Sequence, residues 1–165
     1  MFEEIDVQGA IRKSIQTEKN AMNFYELGAK QMKDRDAVRV FETLAREERE
    51  HAGHFFRIYK GGDISDFDEF MDAPPDHESS WMAAIAKAIT SDFTEQKAME
   101  LAMEKEQNLE QALRETAAQM TDPEVRSIFE LNATETHNHY EMIESEYARI
   151  MTMVHESDMD IYVRE

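Results

Sequence analysis

Apolar residues recur every three or four positions along four long stretches of the chain, a spacing that places them on one face of an α-helix. Polar or helix-breaking residues separate these stretches at residues 34–36, from Gly61-Gly62 through Pro74-Pro75, and at Asp122-Pro123. The pattern predicts four helices and a tail: helix A over 7–33, helix B over 37–60, helix C over 94–120, helix D over 123–155 and the tail over 156–165.

The links between the predicted helices are short, long and short. The long link covers residues 61–93 and contains an amphipathic stretch over 81–90 that predicts a short helix. Short links join antiparallel neighbours, whereas one long crossover is typical of ferritin-like bundles. We therefore predict an all-α protein: a ferritin-like four-helix bundle with one long B-to-C crossover that contains a short helix, forming a single domain over 1–165.

The first half of the chain resembles the second half when the sequence is shifted by 88 residues without a gap. Identical residues then coincide along both hairpins: Gln31 with Gln119, Asp34 with Asp122, Phe41 with Phe129, Ala45 with Ala133, Glu47 with Glu135 and His51 with His139. Glu18 falls on Glu106 at the same shift. We interpret the A–B and C–D hairpins as two copies of one unit.

Each predicted helix carries an ionisable side chain in the middle of its apolar face. These side chains are Glu18 in helix A, Glu48 and His51 in helix B, Glu106 in helix C and His139 in helix D. An unpaired carboxylate in a dry core costs on the order of several kcal/mol, against a total stability of about 5–15 kcal/mol. The apolar faces hold no Lys or Arg, so a metal cation is the candidate partner, and Glu and His suit divalent iron, manganese or zinc.

The composition narrows the classes of function. There is no cysteine, which excludes disulfides, thiolate metal sites and iron–sulfur clusters. The formal net charge of −18 disfavours nucleic acid and anionic membranes as partners, and most of the acids are interpreted as a solvated helix surface. No apolar stretch approaches the roughly 18 residues of a membrane span, and residues 1–8 are acidic, so we expect a cytoplasmic protein without membrane contact.

Over nearly its whole length the sequence resembles the rubrerythrin-like branch of the ferritin-like di-iron carboxylate proteins. The residues that carry the resemblance are Glu18, the run Glu48-Arg49-Glu50-His51, Glu106 and His139. The resemblance implies two iron ions in the bundle core, with manganese or zinc as alternatives. It also implies oxidation of ferrous iron by dioxygen or hydrogen peroxide. Glu48 would bridge the ions, Glu18 and His51 would complete one of them, and Glu106 with His139 would hold the other.

Two positions depart from the family pattern. Thr136 stands where the second Glu-x-x-His would have its glutamate, and Glu135, about 100° round the helix, is a less certain ligand. Leu109 stands where relatives often carry a further glutamate, and Glu110 beside it is the candidate substitute. Full rubrerythrins also append a four-cysteine iron domain. Because this chain has no cysteine, a separate electron-donor protein is expected, or the reaction ends at ferroxidation.

Four functional hypotheses follow. The first is a di-iron oxidoreductase of the peroxidase or ferroxidase type, with no catalytic residue beyond the metal ligands and a homodimer as the expected assembly. The second is a mononuclear or zinc-binding protein without redox turnover, and the third is an iron storage or handling subunit. The fourth is an acidic interaction module without metal. Tyr25, two turns from Glu18 on the same face, either packs in the core or lies near the metals.

Overall fold

A computed structural model describes residues 6–90 and 92–163, with side chains up to residue 153. Six α-helices lie within these ranges: α1 Val7–Gln31, α2 Arg35–Arg57, α3 Phe67–Asp72, α4 Ser80–Thr90, α5 Glu95–Gln119 and α6 Pro123–Val163. The same ranges contain no strand. The all-α, ferritin-like bundle with one long crossover is therefore confirmed, with α1, α2, α5 and α6 as helices A to D.

Two helical hairpins make up the bundle. Helix α1 packs along α2 and helix α5 packs along α6, while α2 contacts α6 and joins the hairpins. The crossover helix α4 lies against both α1 and α5. Its buried Trp81 packs edge-on against Phe24 and Tyr25, which also contact Phe41. This aromatic group connects the crossover to the core because large rings bury much apolar area in a fixed geometry.

The two hairpin turns have the same construction. After each hairpin's first helix an extended residue, Met32 or Met120, donates its N–H to the carbonyl three residues earlier. Asp34 and Asp122 then accept hydrogen bonds from the backbone N–H groups two and three residues later. Such caps satisfy N–H groups that have no partner within the helix. Equivalent caps stand 88 residues apart, so the sequence repeat is also a structural repeat.

The crossover contains a helix that the sequence pattern did not predict. Helix α3 starts at an Asp66 side chain that accepts from the Glu69 N–H, and it buries Met71. Just beyond it, Lys19 of α1, only 3% exposed, donates to the Ala73 carbonyl at 2.8 Å. Burial lowers the pKa of the Lys19 amine. These contacts fix the crossover against α1.

Helix α6 is longer than the predicted helix D and continues through most of the predicted tail, whose last two residues, 164–165, lie outside the described residues. The reason is local, because no Gly or Pro follows Pro123 to end the helix. Arg149 ties α6 to the α1–α2 turn through an ion pair with Asp34 at 2.6 Å. Within the described ranges, no helix combines the length and the apolar character needed to cross a bilayer.

Candidate metal centre

The five residues expected as principal metal ligands lie together in the middle of the bundle. Glu18 comes from α1, Glu48 and His51 from α2, Glu106 from α5 and His139 from α6. None of them is more than 3% exposed. Each stands on the apolar face of its helix, and the four faces meet on the bundle axis. The fold therefore brings ionisable groups from all four long helices to one buried point.

Glu48 is the residue that both histidines share. His139 Nδ1 lies 2.7 Å from Glu48 Oε1, and His51 Nδ1 lies 3.8 Å from the same oxygen. Each histidine also lies near the glutamate on the first helix of its own hairpin. His51 Nδ1 is 3.6 Å from Glu18 Oε2, and His139 Nδ1 is 3.7 Å from Glu106 Oε1. The two imidazole rings stack with centroids 4.8 Å apart. The cluster thus has a two-sided arrangement centred on Glu48.

Most polar atoms at this point have no hydrogen-bond partner. They comprise both carboxylate oxygens of Glu18 and of Glu48, Oε2 of Glu106, and Nδ1 of both histidines. The close approach of His139 Nδ1 to Glu48 Oε1 does not have hydrogen-bond geometry. Buried polar atoms without partners are rare and destabilising, and these atoms are all potential metal ligands. Their convergence fits a divalent cation held by oxygen and nitrogen.

The outer nitrogen of each histidine ring faces a carboxylate of the other hairpin. His51 Nε2 lies 2.7 Å from Glu135 Oε2, and His139 Nε2 lies 3.1 Å from Glu47 Oε2. Glu47 and Glu135 are equivalent in the repeat, and their side chains are 39% and 36% exposed. A carboxylate near the outer nitrogen favours one ring orientation and leaves Nδ1 for a metal. The contact of Glu47 with His139 lacks hydrogen-bond geometry, so it acts through charge. Each hairpin therefore places a carboxylate beside the other hairpin's imidazole.

The pKa values of the cluster reflect burial and the close contact of carboxyl groups with imidazole rings. Burial raises the pKa of the Glu18 carboxyl well above its usual value, and the nearby charge of Glu48 raises it further. Burial also opposes ionisation of Glu48, but its contacts with Glu18 and the two histidines hold its pKa well below the usual value. Burial alone would lower the pKa of His51, yet Glu18 and Glu48 raise it to about 11. A metal cation that binds among these atoms therefore displaces protons from the histidines.

Tyr25 holds one oxygen of a cluster carboxylate. Its hydroxyl donates to Glu106 Oε1 at 2.5 Å, which leaves Glu106 Oε2 without a partner. The side chain is fully buried, and burial raises the pKa of the phenol, with the charges of Glu106 and Glu48 adding to the effect. Tyr25 therefore packs in the core and also contacts the cluster, so the two roles expected from sequence coexist.

A scan against protein-family models matches the rubrerythrin model over residues 10–147. The chain belongs to the rubrerythrin family. A search of curated proteins found no match, and a search of solved structures found none either. The matched segment contains Glu18, Glu48, His51, Glu106 and His139. Iron binding is the general property of the rubrerythrin family, and the buried Glu and His cluster is the place in this member that suits a metal.

This rubrerythrin-family chain has a short neutral side chain at the position equivalent to Glu48. Thr136 is fully buried, and its hydroxyl donates to the Asn132 carbonyl one turn earlier at 2.7 Å. The hydroxyl therefore has its hydrogen-bond partner within α6 and adds no charge to the cluster. The second half of the repeat contributes one carboxylate fewer than the first half.

The two less certain ligands of the sequence analysis lie in different places. The Glu110 carboxylate contacts Arg114 at 2.8 Å and His137 at 2.9 Å, and the structure does not bring it to the cluster. Glu135 reaches the cluster only at the outer nitrogen of His51. Glu47 was not singled out from the sequence, although the 88-residue shift that pairs it with Glu135 was a usable signal.

Replacing Glu135 by glutamine is expected to weaken metal binding by about 10–100-fold, because His51 loses the anion behind its ring. Glu47→Gln should act in the same way through His139. Isothermal titration with Zn²⁺ measures the change, and Glu130→Gln, an exposed position on the same helix as Glu135, is the matched control. If Glu135→Gln loses a whole metal equivalent, Glu135 is itself a metal ligand. If the affinity is unchanged, Glu135 neither binds the metal nor orients the His51 ring.

Proposed function

We propose that this rubrerythrin-family protein is a di-iron oxidoreductase that binds two ferrous ions in the bundle core and oxidises them with hydrogen peroxide or dioxygen. The observation that carries the proposal is the convergence of unpartnered oxygen and nitrogen atoms from four helices around Glu48. A family of iron-binding proteins and a donor set without sulfur both agree with iron as the metal.

The distances between the side chains support a set of ligand roles. Glu48 would bridge the two ions, because it is the carboxylate that both histidines approach. Glu18 and His51 would hold one ion, and Glu106 with His139 would hold the other. A Glu-x-x-His on a bundle helix with single glutamates from other helices is a recognised way to build such a pair.

When bound, a pair of ferrous ions supplies the two electrons that, with two protons, reduce one hydrogen peroxide to two waters. The protein's own residues provide the setting. The buried cluster excludes bulk water, Tyr25 holds Glu106 in place, and Glu47 and Glu135 hold the two imidazole rings. Because the chain has no cysteine for an iron–sulfur donor, we assign re-reduction of the ions to a separate electron-donor protein, and a homodimer is the assembly that we expect.

A second candidate function rests on Thr136. One carboxylate fewer than in a complete pair of Glu-x-x-His motifs favours a single metal, or a zinc ion, that stabilises the bundle without redox turnover. The two candidates differ in the number of ions bound and in their response to an oxidant.

The first experiment is metal analysis after anaerobic loading with ferrous iron, followed by optical spectroscopy during titration with hydrogen peroxide. The proposal requires two irons per chain and a spectral change that is complete at one peroxide per two irons. One iron per chain with no spectral change would contradict the di-iron proposal and support the second candidate, as would no iron together with one bound Zn²⁺. Parallel loading with Zn²⁺ is the control, because Zn²⁺ is not redox-active and cannot reduce hydrogen peroxide.

A further inference from the structure

The metal cluster is sealed from bulk solvent, so an oxidant needs a route to it. Glu18, Glu48 and Glu106 are all 0% exposed. A cavity of about 290 Å³ lies between α1 and α5, and Glu18 forms part of its wall. A single water needs roughly 10–15 Å³ of such space, so the cavity can hold several small molecules at once. It therefore extends from the bundle surface to a wall that Glu18 helps to form, while both Glu18 carboxylate oxygens stay out of contact with solvent.

Short side chains create this cavity. Ala10 and Ser14 of α1 face Ala112 of α5 across it, and these residues are too small to fill the space between the two helices. Leu109 supplies an apolar wall on the α5 side, and Trp81 of α4 closes one end. A glutamate at position 109 would place a carboxylate in this wall, whereas leucine leaves it apolar. The cavity wall therefore combines apolar and polar side chains, and among the residues that the structure describes Glu18 is the one carboxylate in its lining.

The charges around the cavity select against cations. Lys13 and Lys105 line it, although the chain as a whole has a formal charge of −18. The two ammonium groups in the lining oppose entry of a ferrous ion, whereas an uncharged molecule is unaffected by their field. The polar groups of Thr17 and Asn108 offer hydrogen bonds to a small hydroxylic solute. The cavity thus matches hydrogen peroxide better than it matches a metal ion.

We propose that this cavity, which we call the α1–α5 port, is the path by which hydrogen peroxide approaches the metal centre: the molecule enters as far as the wall that Glu18 helps to form, and small side-chain movements there let it pass to the cluster. The proposal rests on the proposed function for the reaction that follows, but passage of a small neutral solute is a separate property of the fold.

The fluorescence of Trp81 can report whether small molecules enter the port. Trp81 is the single tryptophan of the protein, it lines the port, and it is 5% exposed. Acrylamide, a small neutral quencher, should quench Trp81 fluorescence through the port. Caesium ions should quench it at least threefold less, because Lys13 and Lys105 oppose a cation. Equal quenching by acrylamide and caesium would contradict the selection by charge.

A blocked port provides the decisive test. Ala112→Phe places a ring in the port without changing any cluster residue, and Ala118→Phe on the same helix, exposed and away from the port, is the matched control. With iron loaded, we expect Ala112→Phe to retain the iron stoichiometry of the natural protein. Its acrylamide quenching should fall at least threefold and its rate constant with peroxide at least tenfold. The control should change neither quantity. If Ala112→Phe does not fold by circular dichroism, Ala10→Leu blocks the port from the opposite helix.

The outcomes separate the two proposals. Reduced quenching with an unchanged peroxide rate would overturn the port while leaving the di-iron oxidoreductase intact. Unchanged quenching in both blocked variants would overturn the port in any metal state. A natural protein that loads iron but does not react with peroxide would overturn the proposed function, and the quenching series alone would then decide whether the port admits small neutral molecules.

Discussion

Replacing Glu48 by alanine is expected to abolish binding of both metal ions. Glu48 is the carboxylate within 4 Å of both inner histidine nitrogens, at 2.7 Å from His139 and 3.8 Å from His51. Its removal leaves each prospective ion with one glutamate and one histidine, which is too few protein ligands for a stable site. Elemental analysis after anaerobic loading should show the iron content falling to a small fraction of one ion per chain.

The matched control for Glu48→Ala is Glu50→Ala, which removes an exposed carboxylate two residues further along the same helix. It should retain the full iron content, because the side chain at position 50 faces solvent. Two full equivalents retained by Glu48→Ala would show that the bridging role assigned to Glu48 is mistaken. One retained equivalent would show that Glu48 belongs to a single ion.

Replacing Thr136 by glutamate is expected to destabilise the metal-free protein and to strengthen its binding of metal. Thr136 is fully buried, so a carboxylate there adds an unpaired charge to a region that already has an excess of carboxylates, at a cost on the order of several kcal/mol. A bound cation compensates that charge and stabilises the folded state by an amount that rises with the logarithm of its affinity. The melting temperature should therefore fall without metal and recover when Zn²⁺ is added.

Thermal unfolding with and without Zn²⁺ measures this reversal, and Thr134→Glu, at an exposed position on the same helix, should melt like the natural protein in both conditions. If Thr136→Glu is equally destabilised in both conditions, position 136 does not face the ions. The same variant also distinguishes the two candidate functions. Should it gain peroxide-dependent iron oxidation that the natural protein lacks, the natural site is the degenerate one.

The bundle and the composition of its centre could be predicted because both depend on helical periodicity. A residue every three or four positions must lie on one face, so Glu18, Glu48 and Glu106 had to point where the apolar residues point. The caps at Asp34 and Asp122 likewise depend on local chemistry that the sequence contains in full. These features require no knowledge of how the helices are arranged around each other.

The contacts around the centre could not be predicted, because they depend on the rotation and spacing of neighbouring helices. Glu135 stands beside the apolar face of α6, and whether it met an ion, a ring or water depended on where α2 placed His51. Glu110 stands beside its own face in the same way, but it meets Arg114 and His137 on the surface. Helix α3 was also not predicted, because six residues are too few to show a helical period.

The crossed pairing of histidines and carboxylates has a consequence for the order of assembly. The outer nitrogen of each hairpin's ring faces a carboxylate of the other hairpin, His51 with Glu135 and His139 with Glu47. Neither hairpin can therefore present a finished set of ligands before the two have docked. Metal uptake becomes a late step of folding, and an ion once bound clamps the docked hairpins together. Pulse-labelling hydrogen exchange during refolding should find the hairpin helices protected before metal affects the kinetics.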